Sequence, residues 1–133
     1  MSDDIEEVND EPIKVLVVEN DRVNQRVTQA TLEHIGFEVD VAGDGDEAIK
    51  MATRSNYKII LMDCHMPIKD GYDATQEIRE MSWGEDIRII ALTADVRDEN
   101  IEKCFKVGMD DFVKKTVSIE ELKEKVLKWL SVE

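Results

Sequence analysis

A five-stranded parallel α/β sheet, order 2-1-3-4-5 with helices on both faces, is the fold this sequence predicts. Three observations predict it. Short β-branched apolar runs recur five times along the 133 residues, each followed by apolar residues at helical spacing. Most of these runs are apolar throughout rather than alternating, which suits a sheet covered on both sides. The length suits one domain with a substantial core better than two.

The elements follow in order. Ile13–Val18 reads as the first strand, closed by the polar cluster Glu19-Asn20-Asp21, and residues 22–35 read as a helix with Val23, Val27 and Ala30 at helical spacing before the stop at Gly36. Phe37–Val41 alternates apolar and acidic residues and is placed near the sheet edge. After the loop Gly43–Asp46, Glu47–Arg54 is a short helix and Tyr57–Met62 the central strand, which delivers Asp63 at its exit before Pro67 and Gly71 break the chain.

Asp70–Met81 is the third helix, with Ala74, Ile78 and Met81 on one side, and Ile87–Leu92 is the fourth strand, ending at Thr93. A helix over 96–107 places Ile101, Cys104 and Phe105 on one stripe, Phe105 and Trp129 being packing residues. Asp111–Lys114 is the fifth strand. Ser118, with Glu121 three residues on, has the spacing of a capping box and opens a last helix with Ile119, Leu122, Val126 and Leu130 inward.

Composition narrows the functional classes. The formal net charge of −14 argues against contact with nucleic acid or an anionic membrane, since no basic footprint is present. Six acids in the first eleven residues (Asp3, Asp4, Glu6, Glu7, Asp10, Glu11) mark residues 1–11 as a disordered lead-in to a domain over 12–133. No apolar run reaches membrane-spanning length. Two cysteines, Cys64 and Cys104, suggest reduced thiols in the cytoplasm rather than a disulfide framework, and with His34 and His65 they match no common zinc spacing. Lys123, Lys125 and Lys128 read as a solvated helix face.

The predicted topology brings four strand ends to one edge. In doubly wound sheets ligands bind there, beside the strand where the order reverses. Glu19-Asn20, Asp63, Thr93 and Lys115 supply acids, an amide carbonyl, a hydroxyl and an ammonium. Clustered oxygen donors suit a hard cation such as Mg²⁺. A carboxylate can attack phosphorus to give an aspartyl phosphate, with a lysine and a hydroxyl stabilising the phosphoryl oxygens.

These residues carry a resemblance. Leu16–Asn20 with Asn24-Gln25, Met62–Pro67 with Asp70-Gly71, Ala91–Ala94 and Gly108–Lys115 together resemble the receiver domain of two-component response regulators, a flavodoxin-like (βα)5 fold. The resemblance covers residues 13–131, and its wording is most similar to receivers attached to hybrid histidine kinases. It implies Asp63 as phosphoacceptor, Glu19, Asn20, Asp63 and the His65 backbone carbonyl as Mg²⁺ ligands, Thr93 and Phe112 as the switch pair, and Lys115 as the phosphate-binding lysine. A histidine kinase or histidine phosphotransfer domain is the implied donor. The domain is then a monomeric phosphoacceptor rather than an enzyme, at most phosphorylating and dephosphorylating itself. Both a stand-alone regulator and a segment of a hybrid kinase are compatible with the sequence.

Two positions depart from the family pattern. Asn20 stands where the family usually has an aspartate, and Asp21, one residue on, is turned by about 100° if it begins the helix, so it is expected to cap or face solvent. Thr116 stands where proline usually follows the lysine. A cis bond before a non-proline residue costs about 2.5–4 kcal/mol, so Lys115–Thr116 is expected to be trans. Both departures feed an alternative function, a pseudo-receiver acting only by protein interaction. A phosphatase with an Asp nucleophile would want a second Asp where His65 stands, and a flavin site would want a glycine-rich loop in place of Glu19-Asn20-Asp21.

Overall fold

The computed structural model describes residues 12–131. The acidic lead-in assigned to residues 1–11 therefore lies outside the described residues. Strand and helix alternate as β1 Lys14–Val18, α1 Arg22–Ile35, β2 Glu38–Ala42, α2 Gly45–Arg54, β3 Ile59–Asp63, α3 Gly71–Glu80, β4 Arg88–Thr93, α4 Asp98–Val107, β5 Asp111–Lys114 and α5 Ile119–Leu130. All neighbouring strands pair in parallel in the order β2-β1-β3-β4-β5. The predicted sheet is the observed one.

Each interior strand is buried on both faces. Leu16, Ile60, Met62, Ile89 and Ala91 pack under α2, α3 and α4, together with Ala48, Ala52, Ile78 and Cys104. Val15, Val17, Ile59, Leu61, Ile90 and Leu92 face α1 and α5, against Leu32, Leu122 and Val126. This two-sided cover is why the strands read as continuous apolar runs. Edge strand β2, covered less, keeps the mixed pattern Glu-Val-Asp-Val-Ala.

Element ends move where a side chain reaches a backbone donor. Asp44 accepts from Glu47 N at 2.9 Å, so α2 starts at Gly45, two residues before the predicted start. Asp21 caps α1 by accepting from Val23 N and Asn24 N, the role expected of it. Ser118 Oγ accepts from Glu121 N at 3.1 Å and opens α5 as predicted.

Three helical stripes need correction. Val23, Val27 and Ala30 are exposed, and α1 meets the sheet through Leu32 and half-buried Ile35. Val23 and Leu32 are nine residues apart, which at about 100° per residue puts them on opposite sides of the helix. On α4, Cys104 is buried but Phe105 is 47% exposed, and on α5 Ile119 is exposed in the first turn while Leu122 and Val126 are inside. Periodicity locates an apolar stripe, whereas the crossing geometry selects which stripe meets the sheet.

The assignment of Lys125 to a solvated face is also corrected. Asp111, buried at the start of β5, accepts from Lys125 Nζ at 2.8 Å and from Trp129 Nε1 at 2.8 Å. Lys125 Nζ also lies 5.5 Å from the centre of the Phe112 ring, so its chain wraps the open edge of the sheet. Burial alone would push the Asp111 carboxyl up, but the bonds from Lys125, Trp129 and the Phe112 N–H hold it below the usual carboxylate range. The unfolded chain then takes up its proton first as pH falls. This stabilisation is present in full above the unfolded value of about 3.9 and is lost as pH falls through the lower folded value. Asp111→Asn should cost about 1–3 kcal/mol at pH 7 in urea unfolding, with the difference from wild type shrinking below about pH 4. A difference that persists unchanged to pH 2.5 would show that the charge is not what stabilises.

Candidate functional site: an acid–lysine cleft at the strand ends

The sheet register aligns the four predicted strand ends. Asp63 is the last residue of β3 and sits opposite Leu92 of β4, while Thr93 sits opposite Lys114 of β5. The ladder continues one step further, with Cys64 N donating to Leu92 O at 3.0 Å and Lys115 N to Thr93 O at 2.8 Å. Parallel strands ending together bring side chains as far apart in sequence as Glu19 and Lys115 into contact.

Lys115 Nζ lies 2.9 Å from Glu19 Oε1 and 3.0 Å from Asp63 Oδ2, bridging the two carboxylates. Both acids are almost wholly buried, Glu19 at 2% and Asp63 at 4% exposure. Their other oxygens meet backbone donors: Asp21 N bonds Glu19 Oε2 at 3.0 Å, and His65 N bonds Asp63 Oδ1 at 3.1 Å. Burial pushes the Glu19 carboxyl up, and the Asp63 charge adds to the rise against the pull of Lys115 and the Asp21 N–H. Burial opposes the Lys115 charge, but the bonds to Glu19 and Asp63 carry its pKa above the usual lysine value. Two acids facing one ammonium leave the cleft short of positive charge.

The remaining predicted residues stand as follows. Asn20 is exposed beside Glu19, and His65 is exposed with its ring edge-on to Tyr72 at 5.8 Å. Thr93 is buried; its hydroxyl donates to Asp95 O at 3.2 Å and accepts from Asp95 N at 3.0 Å, a local turn rather than a contact with Asp63. Phe112 is half-buried and packs on the face that carries α4. His34 is exposed on α1, a helix of the sheet face opposite Cys64 and Cys104.

The expectation of a trans Lys115–Thr116 bond is corrected: the bond is cis. The intrinsic preference of an isolated peptide is a local one, and here Lys115 is also held by the fold, with its N–H on Thr93 O and its ammonium on two carboxylates.

Sequence reasoning named two supporting residues in its motifs without giving either a role at the site. Gln25 Nε2 donates to Glu19 O at 3.0 Å and ties α1 to the end of β1. Gly71 starts α3 so close to β3 that a Cβ there would collide with Asp63 O, which explains the glycine. The Gly71 position was visible as a breaker, but the close approach was not.

No three His, Cys, Asp or Glu side chains converge as a metal cage among the described residues. Glu19 and Asp63 nevertheless form a hard-oxygen pair with excess negative charge. An Asn20 amide oxygen, a backbone carbonyl and water complete the kind of set Mg²⁺ accepts, since it keeps several waters and needs only one or two carboxylates. The residues fit a magnesium ion.

A parallel sheet whose central strand offers a buried carboxylate to a lysine, with a hydroxyl on the next strand, defines a doubly wound α/β domain with a polar site at its carboxyl edge. Residues 15–127 match the response regulator receiver domain, and the chain belongs to that family. It acts as a receiver domain in two-component signalling. The chain is 36% identical over 121 residues to hybrid signal transduction histidine kinase K of Dictyostelium discoideum, covering 86% of this chain and 10% of that protein. It thus spans about a tenth of that relative's length. Among solved structures, the receiver domain of sensor histidine kinase PA1611 from Pseudomonas aeruginosa PAO1 superposes with a TM-score of 0.86 at 39% identity, covering 91% of this chain and 99% of that one. That structure holds a magnesium ion in its active-site cleft. A chain of the co-crystal of the Saccharomyces cerevisiae phosphotransfer protein Ypd1 with the receiver domain of its downstream response regulator Ssk1 matches with a TM-score of 0.81 at 26% identity, covering 89% of each chain.

Proposed function

We propose that this receiver takes a phosphoryl group from a phosphohistidine onto Asp63. The observation that carries the reading is the Lys115 ammonium seated between Glu19 and Asp63 at the sheet edge. An Asp63 oxygen attacks phosphorus in line, the P–N bond to the donor imidazole breaks, and its electron pair returns to the ring. Lys115 exchanges its contact with Asp63 for a phosphoryl oxygen, which it reaches with little movement. The buried site excludes competing water and strengthens that interaction. Magnesium held by Glu19, Asn20, Asp63 and the His65 carbonyl would supply the missing positive charge for the phosphoryl oxygens.

Thr93 and Phe112 form the switch. Among the described residues the Thr93 hydroxyl is engaged only with Asp95, so donating to a phosphoryl oxygen releases the turn that leads into α4. Space vacated by Thr93 lets Phe112 move inward, reshaping the surface of α4, β5 and α5. The domain is therefore a phosphoacceptor with a conformational output, and not an enzyme that turns over a substrate.

The donor is a histidine kinase or a histidine phosphotransfer protein, the partner type in the Ypd1–Ssk1 co-crystal. Exposed Val23 and Val27 on α1, and Ile68 on the loop after β3, offer it apolar contacts beside the cleft. No helix among the described residues is long and apolar enough to cross a membrane, and a cytoplasmic location suits the reading.

Phosphotransfer from a panel of phosphohistidine donors, with and without Mg²⁺, tests the function. Mg²⁺-dependent label in the protein is the expected result. No label from any donor would leave an interaction-only module. With one carboxylate fewer than the family pattern, the site should bind Mg²⁺ weakly, and Asn20→Asp should tighten it about tenfold, about 1.4 kcal/mol. A magnesium titration that gives Asn20→Asp the wild-type affinity would sink the account of Asn20.

A further inference from the structure

Cys64 and Cys104 are separated by forty positions in sequence, yet their Sγ atoms lie 3.8 Å apart in the core, and both are free thiols. Cys64 directly follows the proposed acceptor Asp63, and its backbone is tied on both sides, N to Leu92 O at 3.0 Å and O to Gly71 N at 3.1 Å. Cys104 is the only fully buried residue of α4. That helix has no side-chain N-cap bond and exposes Phe105, and Cys104 is its buried contact beside half-buried Val107. The buried Tyr72 hydroxyl lies against the two thiols and has no hydrogen-bond partner.

We propose that Cys64 and Cys104 are a dithiol that a hydroperoxide closes to an intramolecular disulfide, pinning α4 to the end of β3. The balance is 2 R–SH + R′OOH → R–S–S–R + R′OH + H₂O. One thiolate attacks the peroxide, giving a sulfenic acid and an alcohol, and the second thiolate displaces hydroxide as the S–S bond forms. The sulfurs need to approach to about 2.05 Å, a closure of less than about 2 Å. A small shift of α4 supplies it. Cys64 and Cys104 are both buried in the closed fold, at 0% and 1% exposure. A peroxide reaches them only when α4 opens, so oxidation is slow.

Once formed, the bond holds α4 where it stands in the resting fold. The switch at Thr93 leads into this same helix, so on the reading proposed above the oxidised domain still accepts phosphate but no longer transmits it.

Intact mass after hydrogen peroxide treatment under native conditions, with unreacted thiols then alkylated in denaturant, tests the closure. The expected product is monomeric, about 2 Da lighter than the reduced chain, takes up no alkyl group and reverts with dithiothreitol. Cys64→Ala and Cys104→Ala should not give it. Hydrogen exchange on the oxidised wild type should show α4 amides at least about tenfold slower than in the reduced protein. Two alkylatable thiols after oxidation, oxygen adducts on single sulfurs, or unchanged exchange in α4 would each overturn the proposal. Neither readout uses phosphoryl transfer, so failure of the reduced protein to take label would count against the receiver chemistry alone.

Discussion

Asp63→Asn should abolish labelling by any phosphohistidine donor that labels the wild type. The amide keeps the shape of the side chain, and its one oxygen can still accept from His65 N or from Lys115, so the fold loses no volume. What is lost is a nucleophile able to form an acyl phosphate. Stability should hold or rise, because the substitution removes one of two buried acids that share a single ammonium, and the Asp63 charge is one of the causes that raise Glu19. Asp70→Asn is the matched control. Asp70 caps α3 by accepting from Asp73 N at 2.9 Å, and asparagine caps a helix about as well. Label retained in Asp63→Asn, or lost equally in both variants, would place the acceptor elsewhere.

Arg79→Ala should be the most destabilising of the substitutions considered, by about 3–5 kcal/mol in urea unfolding. Its guanidinium donates to Gly108 O at 2.9 Å, Gly84 O at 2.7 Å and Ile87 O at 2.6 Å, and pairs with Asp110 Oδ2 at 2.9 Å. Asp110 Oδ2 in turn accepts from Ile89 N, so one side chain binds α3 to the loop before β4 and to the turn before β5. Truncation leaves three carbonyls without this donor and the Asp110 charge without its close partner. Against a typical domain stability of about 5–15 kcal/mol this is a large fraction. Arg79→Lys should recover less than half, because one ammonium cannot reproduce a fork aimed at four acceptors. A loss under about 1 kcal/mol for Arg79→Ala would show the network to be dispensable.

How much of this was legible in sequence differs from residue to residue. Glu19, Asp63, Thr93 and Lys115 were found because each directly follows or ends an apolar strand, and a parallel sheet must deliver all such ends to one edge. Asp21 was assigned correctly as a cap because a rotation of one residue is a local matter. Phe105 and Ile119 were misplaced, since a helical repeat has several candidate faces and only docking picks one. The Asp111–Lys125 pair, the Arg79 network and the Cys64–Cys104 contact left no pattern to read, because each joins residues from different elements.

The sequence by itself determined the sheet, its order and the chemistry collected at its edge, because strand burial, helix capping and breaker residues act over a few neighbouring positions. Only the tertiary structure decided that Lys115 sits between Glu19 and Asp63, and that Cys104 of α4 meets Cys64 at the end of β3. Contact between distant segments depends on register and on helix docking angle. Those arise from close packing of the whole domain, so they appear only when the chain is assembled.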